Sequence, residues 1–127
     1  MFYHKTFDKV AATGVKVLSH VSGFRHIVFS LHADASTTAT IRVKGSASAE
    51  APDFTAATSA DNDWGYIAFR ELETADLKAG STGVAITTTT LHKVYEVECN
   101  GLTHVAFDFS SISGDGVVVH ALVTADE

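Results

Sequence analysis

Along several runs of this chain, large apolar residues return at every second position. Between Arg25 and Leu31 they are Ile27, Phe29 and Leu31, and between Thr40 and Lys44 they are Ile41 and Val43, set against Thr40, Arg42 and Lys44. Successive side chains of an extended chain point to opposite faces, so a period of two buries one face of a strand; an amphipathic helix needs spacings of three and four. Val15 and Val17 flank Lys16 in the same way. In Trp64 to Leu72, Ile67 and Phe69 share one face while Trp64, Tyr66 and Ala68 take the other, and Val84 to Ile86 adds a short strand. Turn residues punctuate these runs often enough to predict an all-β fold: an antiparallel β-sandwich or jelly roll of about eight strands.

The last third carries the clearest strands: Thr88 to Cys99, Leu102 to Ile112 and Gly116 to Thr124, separated by Asn100-Gly101 and by Gly114-Asp115-Gly116. Asn-Gly is a strong two-residue hairpin signal, which predicts a three-stranded meander. In that register Cys99 faces Leu102, Val97 faces His104, Tyr95 faces Ala106 and Lys93 pairs with Asp108. His92 would face Phe109, which faces His120 if the second turn is Gly114-Asp115 and Leu122 if it is Asp115-Gly116. Strands two apart are separated by roughly 9 to 10 Å, whereas zinc holds an imidazole nitrogen at about 2 Å. His92 and His120 are therefore expected not to share an ion, and His104 lies on the opposite face. No metal site is predicted.

A chain of 127 residues suits one domain. Residues 1–12 hold Phe2, Tyr3, Phe7 and Val10 before an Ala-Ala-Thr-Gly break; twelve residues make a marginal helix, so they are read as an N-terminal arm on a sandwich of residues 13–127. Hydrophobic residues make up 46% of the chain, yet no window approaches the roughly 20 apolar residues of a membrane helix, so no membrane partner is expected. The opening MFYHKTFDKV does not read as a secretory signal. A formal net charge of −6 with nine dispersed Lys and Arg argues against nucleic acid. The lone Cys99 suits assembly in a reducing cytoplasm.

Residues 46–63, SASAEAPDFTAATSADND, contain the sole proline and Phe54 as their one large apolar residue, and read as a long loop. Such loops tend to carry contacts. Asp61-Asn62-Asp63 alternates oxygen donors but lacks the longer acidic series and distant glutamate of a calcium loop. There is no Gly-x-Ser-x-Gly, phosphate loop, Cys-x-x-Cys or His-Glu-x-x-His, so no catalytic residue and no cofactor are predicted. The expected meander is apolar on both faces, and a sandwich needs only one, so the surplus calls for cover by the arm, by a loop or by another subunit. The candidate partner-interface residues are Phe2, Tyr3, Phe7, Phe54, Trp64, Tyr66 and Tyr95.

Trp64-Gly-Tyr-Ile-Ala-Phe69 followed by Leu72, Val94-Tyr-Glu-Val97, Asn100-Gly-Leu102, the strand Val105 to Phe109, and Gly114-Asp-Gly116 leading into Val117 to Val119 resemble the small β-sandwich virion structural proteins of tailed bacteriophages. The resemblance covers about half the chain. It implies a non-enzymatic virion component assembled in the host cytoplasm, which decorates or cements the capsid or sits at the tail. Together with the surplus apolar surface it points to self-association, with a trimer among the forms considered, and to docking on major capsid or tail proteins through the arm, the 46–63 loop or the Trp64/Tyr66 face. It transfers no catalytic residue. The alternative is a carbohydrate- or receptor-binding tail module, with Trp64 and Tyr66 stacking on a sugar and Asp61, Asn62 and Asp63 bonding its hydroxyls. A cupin-like metal enzyme using His92 and His120 is a third class.

Overall fold

The structure is a computed structural model and describes residues 2–18, 21–56, 63–88 and 90–125. It has eleven strands: β1 Phe2–Val10, β2 Gly14–Leu18, β3 His26–Ala33, β4 Thr38–Ser46, β5 Gly65–Tyr66, β6 Phe69–Glu71, β7 Leu77–Lys78, β8 Val84–Thr87, β9 Leu91–Glu98, β10 His104–Ser113 and β11 Val117–Thr124. They form two antiparallel sheets. One has the order β1-β11-β3-β9-β6-β7, and the other β2-β10-β4-β5, with β8 also paired to β4. Without β5, β6 and β7, the two layers are β1-β11-β3-β9 and β2-β10-β4-β8, the eight-stranded order of a jelly roll.

The alternation that predicted strands is what fills the space between the sheets. Ile27, Phe29, Leu31 and Ala33 of β3, and Val117, Val119, Ala121 and Val123 of β11, are buried at every second position. From the facing sheet come Ile41 and Val43 of β4 and Val105, Phe107 and Phe109 of β10. Phe29 is the junction: its ring stacks on Tyr95 at 5.3 Å and 24° and meets Phe107 of the other sheet at 4.8 Å. Phe69 joins them, 5.9 Å from Phe29 and 5.5 Å from Tyr95.

In this strand order β9, β10 and β11 step from one sheet to the other and back, and this overturns the expected meander. β9 pairs with β3 and β6, β10 with β2 and β4, and β11 with β1 and β3. Asn100-Gly101 does form a turn, with Leu102 N–H donating to Cys99 O at 2.9 Å and Gly101 at φ 89°, but the chain crosses between layers there. Thr103 N–H then donates to Ser46 O, which starts β10 on β4. Gly114, at φ 93°, packs so closely that a Cβ would lie 2.3 Å from Ser36 O. The Asn100-Gly101 turn forms without the hairpin: a tight turn fixes a change of direction, and pairing is fixed by which layer buries each apolar face.

Residues 1–12 contain β1, an edge strand bonded along β11 from Phe2↔Thr124 to Val10↔Val117 with an irregularity between Phe7 and Val10. One other segment differs from expectation for the same reason as the meander. Trp64 to Leu72 is not one strand: Gly65 and Tyr66 pair with β4, whereas Arg70 and Glu71 pair with β9 in the opposite layer. A segment that changes sheets has apolar residues on both faces, which is why its alternation looked doubled.

Candidate functional site

Sheet order decides what each outer face presents. On the six-stranded sheet the positions between the buried ones are Phe2, His4 and Thr6 of β1, Val118, His120, Leu122 and Thr124 of β11, His26, Val28, Ser30 and His32 of β3, and His92, Val94, Glu96 and Glu98 of β9. Glu96 and Glu98 are the formal charges among them, and Asp8 and Lys9 are exposed at the irregular end of β1. Five of the seven histidines lie here; His104 belongs to β10, and His20 is outside the described residues. A solvated sheet face normally carries polar and charged residues. This one exposes Phe2, 61% accessible, and Val94, and continues over Arg70, paired with Glu96 at 2.8 Å, to Leu72 and the exposed Leu77. A shallow groove of about 680 Å³ borders it, lined by Ile67, Phe69, Arg70, Leu77, Glu96 and Leu102.

Part of the outer face of the five-stranded sheet is covered by the chain itself, while Val17 of β2 and Ala85 and Thr87 of β8 stay exposed. Lys44 of β4 donates to Phe54 O at 2.7 Å and pairs with Asp108 of β10 at 3.2 Å, the two side chains being 6% and 16% exposed. Its ammonium lies 4.0 Å from the Trp64 ring centre and 5.8 Å from that of Tyr66. Phe54, Trp64 and Ala106, with Val15 against them, form a small second core outside the sandwich. The described part of the long loop is thus held down by a buried cation under an aromatic roof.

The candidate interface residues are therefore not one surface. Phe2 is on the outer face beside the His4 ring. Tyr3 and Phe7 point inward, edge-on to Phe24 at 5.4 Å and Phe107 at 6.3 Å. Tyr95 is 1% exposed in the main core, and Phe54 and Trp64 are buried in the second core, leaving Tyr66 at 39% as the accessible ring of that group. Asp61 and Asn62 lie outside the described residues, and Asp63 is exposed. Among the described residues no three metal-ligating side chains converge. The expected ion pair of Lys93 with Asp108 and the row His92–Phe109–His120 do not form: Lys93 pairs with Glu71, Asp108 with Lys44, His92 lies opposite His32, and His120 contacts Thr6. Sequence reasoning missed the histidine face because a wrong neighbour in the sheet scatters residues that the right one aligns.

Two titratable groups are set by their surroundings. Cys99 is buried, which pushes its thiol up to about 11 and leaves it a poor nucleophile at neutral pH. Glu71, buried on β6, accepts from Lys93 Nζ at 2.7 Å and from Thr74 Oγ1 at 2.8 Å, and the Lys93 bond first, then the Thr74 bond, holds its carboxyl below the ordinary 4.5. A carboxylate with a depressed folded-state pKa contributes stability above its unfolded value, and the contribution disappears as pH falls through the folded value. Glu71→Gln is expected to unfold more readily than wild type at pH 7, with the difference shrinking as pH is taken below about 4.5. Urea melts at pH 7 and pH 3 check this; a difference equal at both would contradict it.

No protein-family model matches the chain, and no curated protein matches it in sequence. Among solved structures, the fold is similar to that of the SPBc2 prophage-derived protein YomS, with TM-score 0.61 and 19% identity over 97% of this chain and 94% of that one. The K3 cleaved adhesin domain of Lys-gingipain from Porphyromonas gingivalis W83 aligns with TM-score 0.45 and 18% identity over 87% of this chain and 61% of that one. What the likeness to YomS establishes is the sandwich fold, carried over nearly the full length of both chains.

Proposed function

We propose that this is a non-enzymatic structural protein of a phage particle, a capsid decoration or stabilising subunit that binds neighbouring subunits, including copies of itself, through the outer face of the six-stranded sheet. The observation that carries this reading is the composition of that face: across β1, β11, β3 and β9 it holds Phe2, Val28, Val94, Val118 and Leu122 among histidines and hydroxyls, with formal charge confined to Glu96 and Glu98 of β9 and to Asp8 and Lys9 at the irregular end of β1. Depletion of charge with retained aromatic and aliphatic surface distinguishes the centre of an interface from ordinary solvated surface. A whole-length fold similar to that of a prophage-derived protein supports the setting in a virion assembled in the host cytoplasm. The glycan-binding alternative has less to stand on, because Trp64 is occupied by Lys44 and Phe54 instead of being free to stack on a sugar.

Leu122 lies at the middle of this face, between His4 of β1 and Val28 of β3 in register. Placing a carboxylate there would bury an unpaired charge on association. Size-exclusion chromatography with light scattering is expected to show a concentration-dependent oligomer for the wild type. Leu122→Glu should weaken it at least tenfold with an unchanged circular dichroism spectrum. A wild type that stays strictly monomeric at high concentration, or an oligomer indifferent to the substitution, would overturn self-association through this face.

A further inference from the structure

The corrected strand order brings together two imidazoles that the sequence keeps sixty residues apart. His32 of β3 and His92 of β9 are direct partners across the antiparallel pair, both exposed, with ring centres 5.5 Å apart and planes at 89°. Beyond this mutual contact, neither ring has a hydrogen bond or ion pair with any described residue. We propose that they form a two-point site for an exchangeable late first-row divalent cation such as zinc, nickel or copper.

The spacing fits. Zinc holds an imidazole nitrogen at about 2.0 Å, and the ring centre lies about 1.1 Å further on, so a tetrahedral ion places two ring centres roughly 5.2 Å apart. The observed separation is within a few tenths of an ångström of that, and no backbone movement is needed. The edge-to-face arrangement has one ring turned away from convergence, and the torsion that turns it, sp³–sp² and broad, is soft. Imidazole is the ligand these ions prefer among neutral side chains. The neighbours do not compete: Val118 flanks His32 from β11, and His120, the next outward residue on β11, is engaged with Thr6 Oγ1 at 3.0 Å. Two protein ligands leave the remaining positions to water or to an outside donor, which makes the ion exchangeable instead of a resident structural centre. Because the two ligands come from β3 and β9, a bound ion also ties those strands together, and the folded state alone holds them at chelating distance.

The test is titration of the full chain with nickel or zinc chloride by calorimetry, alongside thermal unfolding with and without the ion. One equivalent is expected to bind the wild type and raise its melting temperature. His32→Ala and His92→Ala should each lose affinity at least tenfold, because one imidazole remains where two chelated, whereas His4→Ala and His120→Ala on the same face should retain it. All four positions are exposed, and the circular dichroism spectrum of each variant confirms that it is folded. Wild-type affinity no greater than that of the single variants, or tight binding that survives the His32→Ala/His92→Ala pair, would overturn the site.

Discussion

Lys44→Met is expected to destabilise the fold by about 3 kcal/mol, the cost of leaving a largely desolvated carboxylate without its cation. Asp108 would keep its position beneath the loop with no opposite charge, and the Phe54 carbonyl would lose its donor. The thioether of methionine retains some contact with Trp64, so the loss reports the ion pair and hydrogen bond more than the packing. Because the penalty arises from the orphaned partner, adding Asp108→Leu should return at least half of it, which a double-mutant cycle measures directly. Denaturant melts of the four proteins provide the numbers. Simple additivity of the two single effects would mean that the charges are independently solvated and that the loop is held by apolar contact alone.

The second large effect is at Phe29. Its ring touches Tyr95 and Phe69 in its own sheet and Phe107 in the facing one, and it is fully buried. Phe29→Ala removes the atoms that join the layers and leaves a cavity walled by rigid rings, for which about 4 kcal/mol is the expected cost. Against a total stability of roughly 5 to 15 kcal/mol, that is a large fraction. The melting temperature should fall by about 15 °C for a chain of this size. Phe29→Leu, which keeps most of the volume, should recover the greater part. A loss below about 1 kcal/mol for the alanine variant would show that the sheets are not held together at this point.

These two positions also mark how far the sequence could be read. Phe29 was legible: the spacing of Ile27, Phe29 and Leu31 is a property of one strand, and any antiparallel layer that buries that face uses all three. Lys44 was not. A lysine at an outward position reads as solvated, and only the return of Phe54 and Trp64 over β4 gives it a buried partner and an aromatic roof. That return depends on contacts distant in the chain, for which alternation carries no signal. The histidine face was hidden for a related reason. Local turn chemistry at Asn100-Gly101 favours a hairpin, and the hairpin register places Lys93 beside Asp108 and His92 beside Phe109. Satisfying two layers at once takes β9 to β3 instead, aligning His92 with His32. A tight turn therefore constrained direction, while the requirement to bury one face of every strand chose the neighbour.

Both the docking face and the histidine pair stand on that choice of neighbours. Cross-strand nuclear Overhauser effects in the isotopically labelled protein test it most directly. The account predicts backbone contacts from Ile27 to Val97, Phe29 to Tyr95 and His32 to His92, with β10 showing its own to β2 and β4. Backbone contacts linking Val97 to His104 and Lys93 to Asp108 would restore the meander and contradict it.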